Sequence, residues 1–210
     1  MARLPRAFAE GVALHVVQRG NNRNACFADA ADRMVYLAML GDLCGKTGCA
    51  IHAYVLMTNH VHLLMTPQSA VAPSRLMQRL GMRYAAYSNR RHDRTGTLWE
   101  GRFRAAPVTS DKYVLACHRY IELNPVRAGM VLRPEDYSWS SHLANIGMAD
   151  RGFLVIHPTV EAMGHSREIT AQRYRRLFDA PLDDAILTAF RQGIARPSAQ
   201  SGSDLNLTPV

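Results

Sequence analysis

Residues 47–74 carry no Asp, Glu, Lys or Arg, and this window constrains the fold more than any other feature of the chain. A membrane-spanning helix is excluded, because His52, Thr58, Asn59, His60, His62, Thr66, Pro67 and Gln68 are too many polar groups to leave in hydrocarbon. A soluble helix is excluded as well. The apolar runs 51–57 and 61–65 are too short for helices, and they flank Thr58 and Asn59 at the spacing of a hairpin. The window therefore predicts two strands joined by a tight turn.

The flanking segments supply the rest of a sheet. Residues 12–18 are rich in β-formers and precede Gly20, Asn21 and Asn22, which read as a turn. Asp29 is placed to cap a helix whose apolar positions Val35, Tyr36, Met39, Leu40 and Leu43 keep helical spacing, and Gly48 stands where a C′ residue belongs. Residues 74–91 return to that period through Leu76, Met77, Leu80, Tyr84 and Tyr87. A fourth strand follows over 98–108. Ser110 then caps a third helix over 111–123, which Pro125 stops near Asn124. The order β-α-β-β-α-β-α predicts an α+β fold of the ferredoxin-like (RRM-like) kind: a four-stranded antiparallel sheet with helices on one face and the other face open. This domain spans residues 1–147. A small helical C-terminal appendage, with short helices near 166–178 and 182–192, occupies 148–194, and the Ser, Pro and Gly content of 195–210 predicts a flexible tail.

Apolar residues make up 48% and charged residues 20%, which excludes wholesale disorder and small stapled scaffolds. The net charge of +8 is regional: residues 1–110 hold 14 basic and 6 acidic side chains, whereas residues 111–210 hold 11 of each. Arg75, Arg79, Arg83, Arg90, Arg91, Arg94, Arg102 and Arg104 face only Asp93 and Glu100 within 75–104. Arg75, Arg79 and Arg83 recur every four residues, a row of guanidinium groups suited to a phosphate backbone. A charge run is ordinarily a solvated helix face, but no acid interleaves with this one between 75 and 91. The partner implied is a polyanion. Tyr84, Tyr87 and Trp99 offer stacking surface for bases, although tyrosines at helical spacing are more often core. Cys26, Cys44, Cys49 and Cys117 form no C-x-x-C pair and nothing upstream resembles a signal peptide, so reduced buried thiols in a soluble, cytoplasmic protein are expected.

Chemistry concentrates in two places. His60 and His62 alternate on one strand, so their imidazoles share a sheet face about 6–7 Å apart at the backbone, close enough to grip one ion. A His-x-His pair is a weak signal alone, since two ligands do not make a site. The third predicted helix carries Tyr113, Cys117, Tyr120 and Asn124 along one stripe. Alone, Tyr120 reads as a packing tyrosine and Asn124 as a helix-end residue. Together, an ion clamp, a phenol and a basic stretch are the components that phosphoryl transfer on DNA requires. The phenolate would attack a backbone phosphorus, leaving a phosphotyrosine and a free 3′-hydroxyl, and no ATP is needed.

Five segments carry a family resemblance: HVVQRGNNRNACF from His15, HAYVLMTNHVHLLMTP from His52, NRRHDRTGTLWEGRFRA from Asn89, RYIELNPVRAGMV from Arg119 and YSWSS from Tyr137. In this order they resemble the single-tyrosine HUH transposases of bacterial insertion sequences, in particular the REP-associated tyrosine transposase branch. The resemblance implies Mg²⁺ or Mn²⁺ held by His60 and His62, with Asn124 the third ligand by position, where relatives often carry Gln. It also implies Tyr120 as nucleophile on single-stranded or hairpin DNA, and either a monomer or a homodimer that exchanges the tyrosine helix. His15, in the first matching block, reads as structural or DNA-facing. Two other functions stay open at this level: a non-catalytic single-strand-binding module, and a metal-dependent phosphoesterase that uses water while Tyr120 packs.

Overall fold

The computed structural model describes residues 8–150 and 152–195, so the expected tail lies, but for residue 195, outside the described residues. Four strands, β1 (Ala13–Arg19), β2 (Cys49–Leu56), β3 (His60–Pro67) and β4 (Arg104–Val108), form one antiparallel sheet in the order β2-β3-β1-β4. Helices α1 (Ala30–Thr47) and α2 (Ala72–Arg91) connect them as expected. The chain continues through α3 (Asp111–Glu122), three single-turn helices α4 (Asn124–Arg127), α5 (His142–Asn145) and α6 (Pro158–Glu161), then α7 (Arg167–Arg176) and α8 (Asp184–Ala195).

Local signals explain the boundaries. The Asp29 carboxylate accepts the Asp32 N–H at the start of α1, and Gly48 ends that helix at φ +73°, a left-handed conformation that costs glycine nothing. Ser110 accepts the Tyr113 N–H and starts α3. The stop expected before Pro125 occurs, since α3 ends at Glu122. The chain then re-enters a helix at once, because a proline in the first turn of α4 lacks only an N–H that would have no helical partner there. The fourth strand is shorter than the sequence implies. Trp99 makes one bridge to Gly20, the Glu100 N–H donates to the Arg19 carbonyl, and Gly101 turns the chain at φ +65°, so continuous pairing begins only at Arg104.

Alternation along the strands divides the core. Leu14, Val16, Val61, Leu63 and Met65 pack with Tyr36 and Leu40 of α1 and with Leu76, Leu80 and Tyr84 of α2. Ala13, Val55 and Leu64 point the other way, against Cys117, Tyr120 and Ile121 of α3 and Phe190 of α8. The fold class is the expected one, with α1 and α2 together on one face. The second face, open in the simplest version of that architecture, is covered by α3 and α8. The physical reason is that the second face is itself apolar, and α3 carries an apolar stripe to match it.

The outer edge of β2 is sealed by the segment that follows α4. Trp139 and Ser141 exchange backbone hydrogen bonds with Leu56 and Tyr54, and the Tyr137 hydroxyl donates to the Leu56 carbonyl at 2.7 Å. Beyond it, Ile146, Val160 and Tyr174 form a small cluster with Leu115 of α3. Among the described residues no helix is long and apolar enough to cross a membrane. All four cysteines are free and buried. Tyr84 and Trp99 are core, their polar ends donating to the carbonyls of Cys26 and Gly81, so neither is a base-stacking surface.

Candidate active site

The register of the sheet gathers the histidines. Arg19 lies opposite His60 and Val17 opposite His62, which puts His15, Val17, Arg19, His60 and His62 on the α3 face. The His60 and His62 ring centroids are 4.9 Å apart at 77°. His15 stacks on His62 at 5.1 Å, and its Nε2 is 2.9 Å from His62 Nδ1. Tyr120 meets the group edge-on, its ring centroid 5.8 Å from that of His62 and 5.4 Å from that of His15. The phenol predicted from the helical stripe and the imidazoles predicted from strand alternation are thus brought together within one chain.

Two further side chains close the group, and sequence reading missed both. The Arg127 guanidinium lies over the Tyr120 ring, 4.2 Å from its centroid. It is seven residues after Tyr120, two helical turns on the same face, and this spacing was the available signal. Phe190 of α8 lies 5.0 Å from Tyr120 and 5.7 Å from His15, ring to ring. Nothing in the local sequence links α8 to the site, since the contact is purely tertiary.

Burial keeps these imidazoles neutral. Desolvation, with Arg127 nearby, pushes His15 down to about 3. Desolvation and Arg19 bring His60 to about 4, and His62 is held well below its ordinary value by burial and then by His15, His60, Arg127 and Arg19. His52, outside the site, is lowered to about 4 by burial. The unfolded chain takes up protons at these residues below about 6.5 while the folded chain does not, so stability falls as pH drops from there towards 4. The urea midpoint in metal-free buffer is expected to decline between pH 7 and 5, a range in which carboxylates stay ionised. A flat midpoint there would contradict neutral burial.

The donor set suits a divalent ion. Neutral imidazole is the ligating form, and both His60 and His62 are held in it. Among the described residues no cluster of three or more His, Cys, Asp or Glu side chains is arranged to hold a metal. Asn124 begins α4 one turn beyond Tyr120, and its buried Nδ2 has no hydrogen-bond partner. An amide oxygen is an acceptable ligand for Mg²⁺ or Mn²⁺.

The predicted DNA-binding arginines, Arg75, Arg79, Arg83, Arg90, Arg91, Arg102 and Arg104, are all exposed but not all near the phenol. The five on α2 belong to the helix layer behind the sheet. Acids absent from α2 itself reach it from α1 and its cap: Arg83 pairs with Asp42 at 2.9 Å, and Arg91 with Asp29 at 2.7 Å and Asp32 at 2.5 Å. Arg102 precedes β4. Arg104 lies opposite Val17 in β4 and so shares the face of His15.

A buried polar network anchors the tyrosine helix from behind. Glu122, two residues past Tyr120 and fully buried, accepts from Ser141 Oγ at 2.6 Å, His142 Nδ1 at 2.8 Å and Asn145 Nδ2 at 2.7 Å. Asn145 also donates to the His52 carbonyl on β2. The network joins two of the motif blocks, RYIELNPVRAGMV and YSWSS, which sequence alone left unconnected.

Known proteins resemble this chain in sequence and in fold. A family model described as Transposase IS200 like matches residues 9–124. A solved structure of a REP-associated tyrosine transposase bound to a REP hairpin shares the fold with a TM-score of 0.59 at 16% identity, covering 74% of this chain and 92% of that one. A crystal structure from Deinococcus radiodurans R1, described as a transposase, aligns at 20% identity with a TM-score of 0.39, over 54% of this chain and 91% of its own. No curated protein matches the chain. The matched residues run from β1 through α3 and end at Asn124, and they include His60, His62 and Tyr120; the chain belongs to the IS200-like transposase family.

Proposed function

We propose that this protein binds single-stranded or hairpin DNA in the cytoplasm and cuts and rejoins it through a covalent phosphotyrosine link at Tyr120. The observation that carries the reading is the phenol packed against His62 and His15 in a single chain, with a guanidinium on its ring. His60, His62 and Asn124 would hold Mg²⁺ or Mn²⁺, which when bound polarises a phosphate oxygen and makes phosphorus more electrophilic. Tyr120 loses its proton and attacks phosphorus, the 3′-oxygen departs as a hydroxyl, and the 5′-phosphate stays on the tyrosine. Reversal by the same 3′-hydroxyl rejoins the strand, because a phenolate is a tolerable leaving group. Arg127 holds the ring in place for both directions.

All components come from one polypeptide, which favours a monomeric active unit over helix exchange. Residues 1–147 form the catalytic domain, and residues 148–194 reinforce α3 and cover the site. Arg104 is the predicted arginine placed to guide the cut strand, while Arg75, Arg79 and Arg83, with Arg90, Arg91 and Arg102, would engage phosphates elsewhere on a folded substrate.

The test is incubation with a labelled hairpin oligonucleotide bearing a single-stranded flank, in Mg²⁺ or Mn²⁺. A labelled protein band that survives denaturing electrophoresis is expected. Cleavage without that band would favour the water-using phosphoesterase. Binding with no cut product would favour the non-catalytic module.

Phe190 packs on the Tyr120 ring, centroid to centroid 5.0 Å, so a displacement of α8 would open the phenol to a phosphodiester. Phe190→Ala removes a buried anchor worth about 3 kcal/mol, and cleavage is expected to rise by roughly 10- to 100-fold in initial rate. A slower rate in that variant would show that Phe190 supports the site rather than shielding it.

A further inference from the structure

The hydrogen bonds behind the two strand imidazoles assign roles to residues that the motif reading left as turn and structural positions. Asn59 Nδ2 donates to the Arg23 carbonyl at 2.9 Å, which orients the amide. Its Oδ1 then faces His60 Nδ1 at 2.7 Å. An amide oxygen only accepts, so Nδ1 of His60 carries the proton and its Nε2 keeps a lone pair. On the neighbouring strand, His15 is fully buried and directs Nε2 at His62 Nδ1 across 2.9 Å. This bond has two possible senses. If His15 donates, His62 Nε2 keeps its proton and cannot ligate; if His62 donates, its Nε2 is free. A cation on His62 selects the second sense, since an imidazole that ligates through one nitrogen donates from the other.

We propose that His15 and Asn59 are positioning residues of the metal site, accepting the Nδ1 protons of His62 and His60 respectively so that each imidazole offers Nε2 to a single divalent cation. The inference rests on reading His60 and His62 as the metal-holding pair. His15 is thereby excluded as a ligand through Nε2, which the hydrogen bond occupies. It also accounts for a histidine at this buried position even though its second ring nitrogen has no hydrogen-bond partner. An aliphatic residue there would pack without that cost, but would offer His62 no acceptor.

The experiment is calorimetric titration of the full chain with Mn²⁺, without DNA, so that affinity is read apart from activity. Wild type is expected to bind and His60→Ala to lose binding, which tests the underlying reading. His15→Phe keeps a ring but no acceptor, and Asn59→Ala removes the acceptor at the turn. Each should weaken binding by about 10- to 100-fold. His15→Gln restores an acceptor oxygen and should recover wild-type affinity; Asn59→Asp keeps an acceptor for His60 Nδ1 but loses the donation to the Arg23 carbonyl, and should bind at least about tenfold more tightly than Asn59→Ala, rescues that a purely structural role would not produce. Unchanged affinity in His15→Phe and Asn59→Ala, with binding abolished in His60→Ala, overturns the inference and spares the site. Binding indifferent to His60→Ala overturns both. Should His15→Phe fail to fold, the Asn59 pair, in the turn between β2 and β3, decides the question.

Discussion

A Tyr120→Phe variant is expected to lose covalent capture of DNA by at least about 10³-fold while binding the hairpin as wild type does. The substitution is unusually clean here. Tyr120 is 7% exposed, and its ring makes the contacts with His15, His62, Phe190 and the Arg127 guanidinium. Phenylalanine keeps all of those ring contacts, so packing and the thermal midpoint should change little. Only the oxygen is lost, and with it the bond to phosphorus. The measurement is the denaturation-resistant protein–DNA band, with hairpin affinity measured in parallel. Full cleavage by the variant would remove Tyr120 from the chemistry and leave water as the nucleophile.

Glu122→Ala is expected to destabilise the protein by about 3–5 kcal/mol, the range for breaking a buried charged network by removing one member. Three donors, from Ser141, His142 and Asn145, would lose their acceptor where water does not reach. In a chain of this size the thermal midpoint should fall by about 6–20 °C. Burial alone would raise the Glu122 carboxyl, but the hydrogen bond and charge of His142, then His118 and Ser141, hold it below the ordinary value. A depressed carboxyl contributes stability above its unfolded value of about 4.3, and that contribution is lost as pH falls below it. Thermal melts of wild type and Glu122→Gln across pH 7 to 3 separate the two effects, because the amide cannot titrate. A midpoint unchanged in Glu122→Ala would mean that α3 is held by its apolar stripe alone.

The consequence for function is geometric. Glu122 ties the end of α3 to β2 through Asn145 and the His52 carbonyl, and β2 is paired with β3, which carries His60 and His62. Tyr120 therefore faces the imidazoles from a helix whose end is held to the neighbouring strand. Motif blocks far apart in the chain, at Glu122 and at Ser141, serve this one connection.

Arginine placement shows where one-dimensional reading stops. Periodicity puts Arg75, Arg79 and Arg83 in a row on α2, and the row exists and is exposed. Helical spacing carries no information about which sheet face the helix covers. Only packing put that row behind the sheet, brought Asp42 and Asp29 to two of the helix's arginines, and left Arg19, Arg104 and Arg127 on the face of the phenol.

Sequence by itself determined the three main helices and the four strands of the antiparallel sheet, though not the start of the fourth strand or the single-turn helices, because strand and helix periods, the Asp29 and Ser110 caps and the charge-free hairpin are local signals read within a few residues. It also determined that His60 and His62 share a face, since strand alternation leaves no choice. Tertiary structure decided the rest: α3 and α8 on the second face, Arg127 and Phe190 against Tyr120, His15 behind His62, and Glu122 bound to Ser141. Apart from Arg127, which keeps helical spacing to Tyr120, these contacts join residues whose separation in the chain carries no periodic relation, so tertiary packing rather than local propensity selected them.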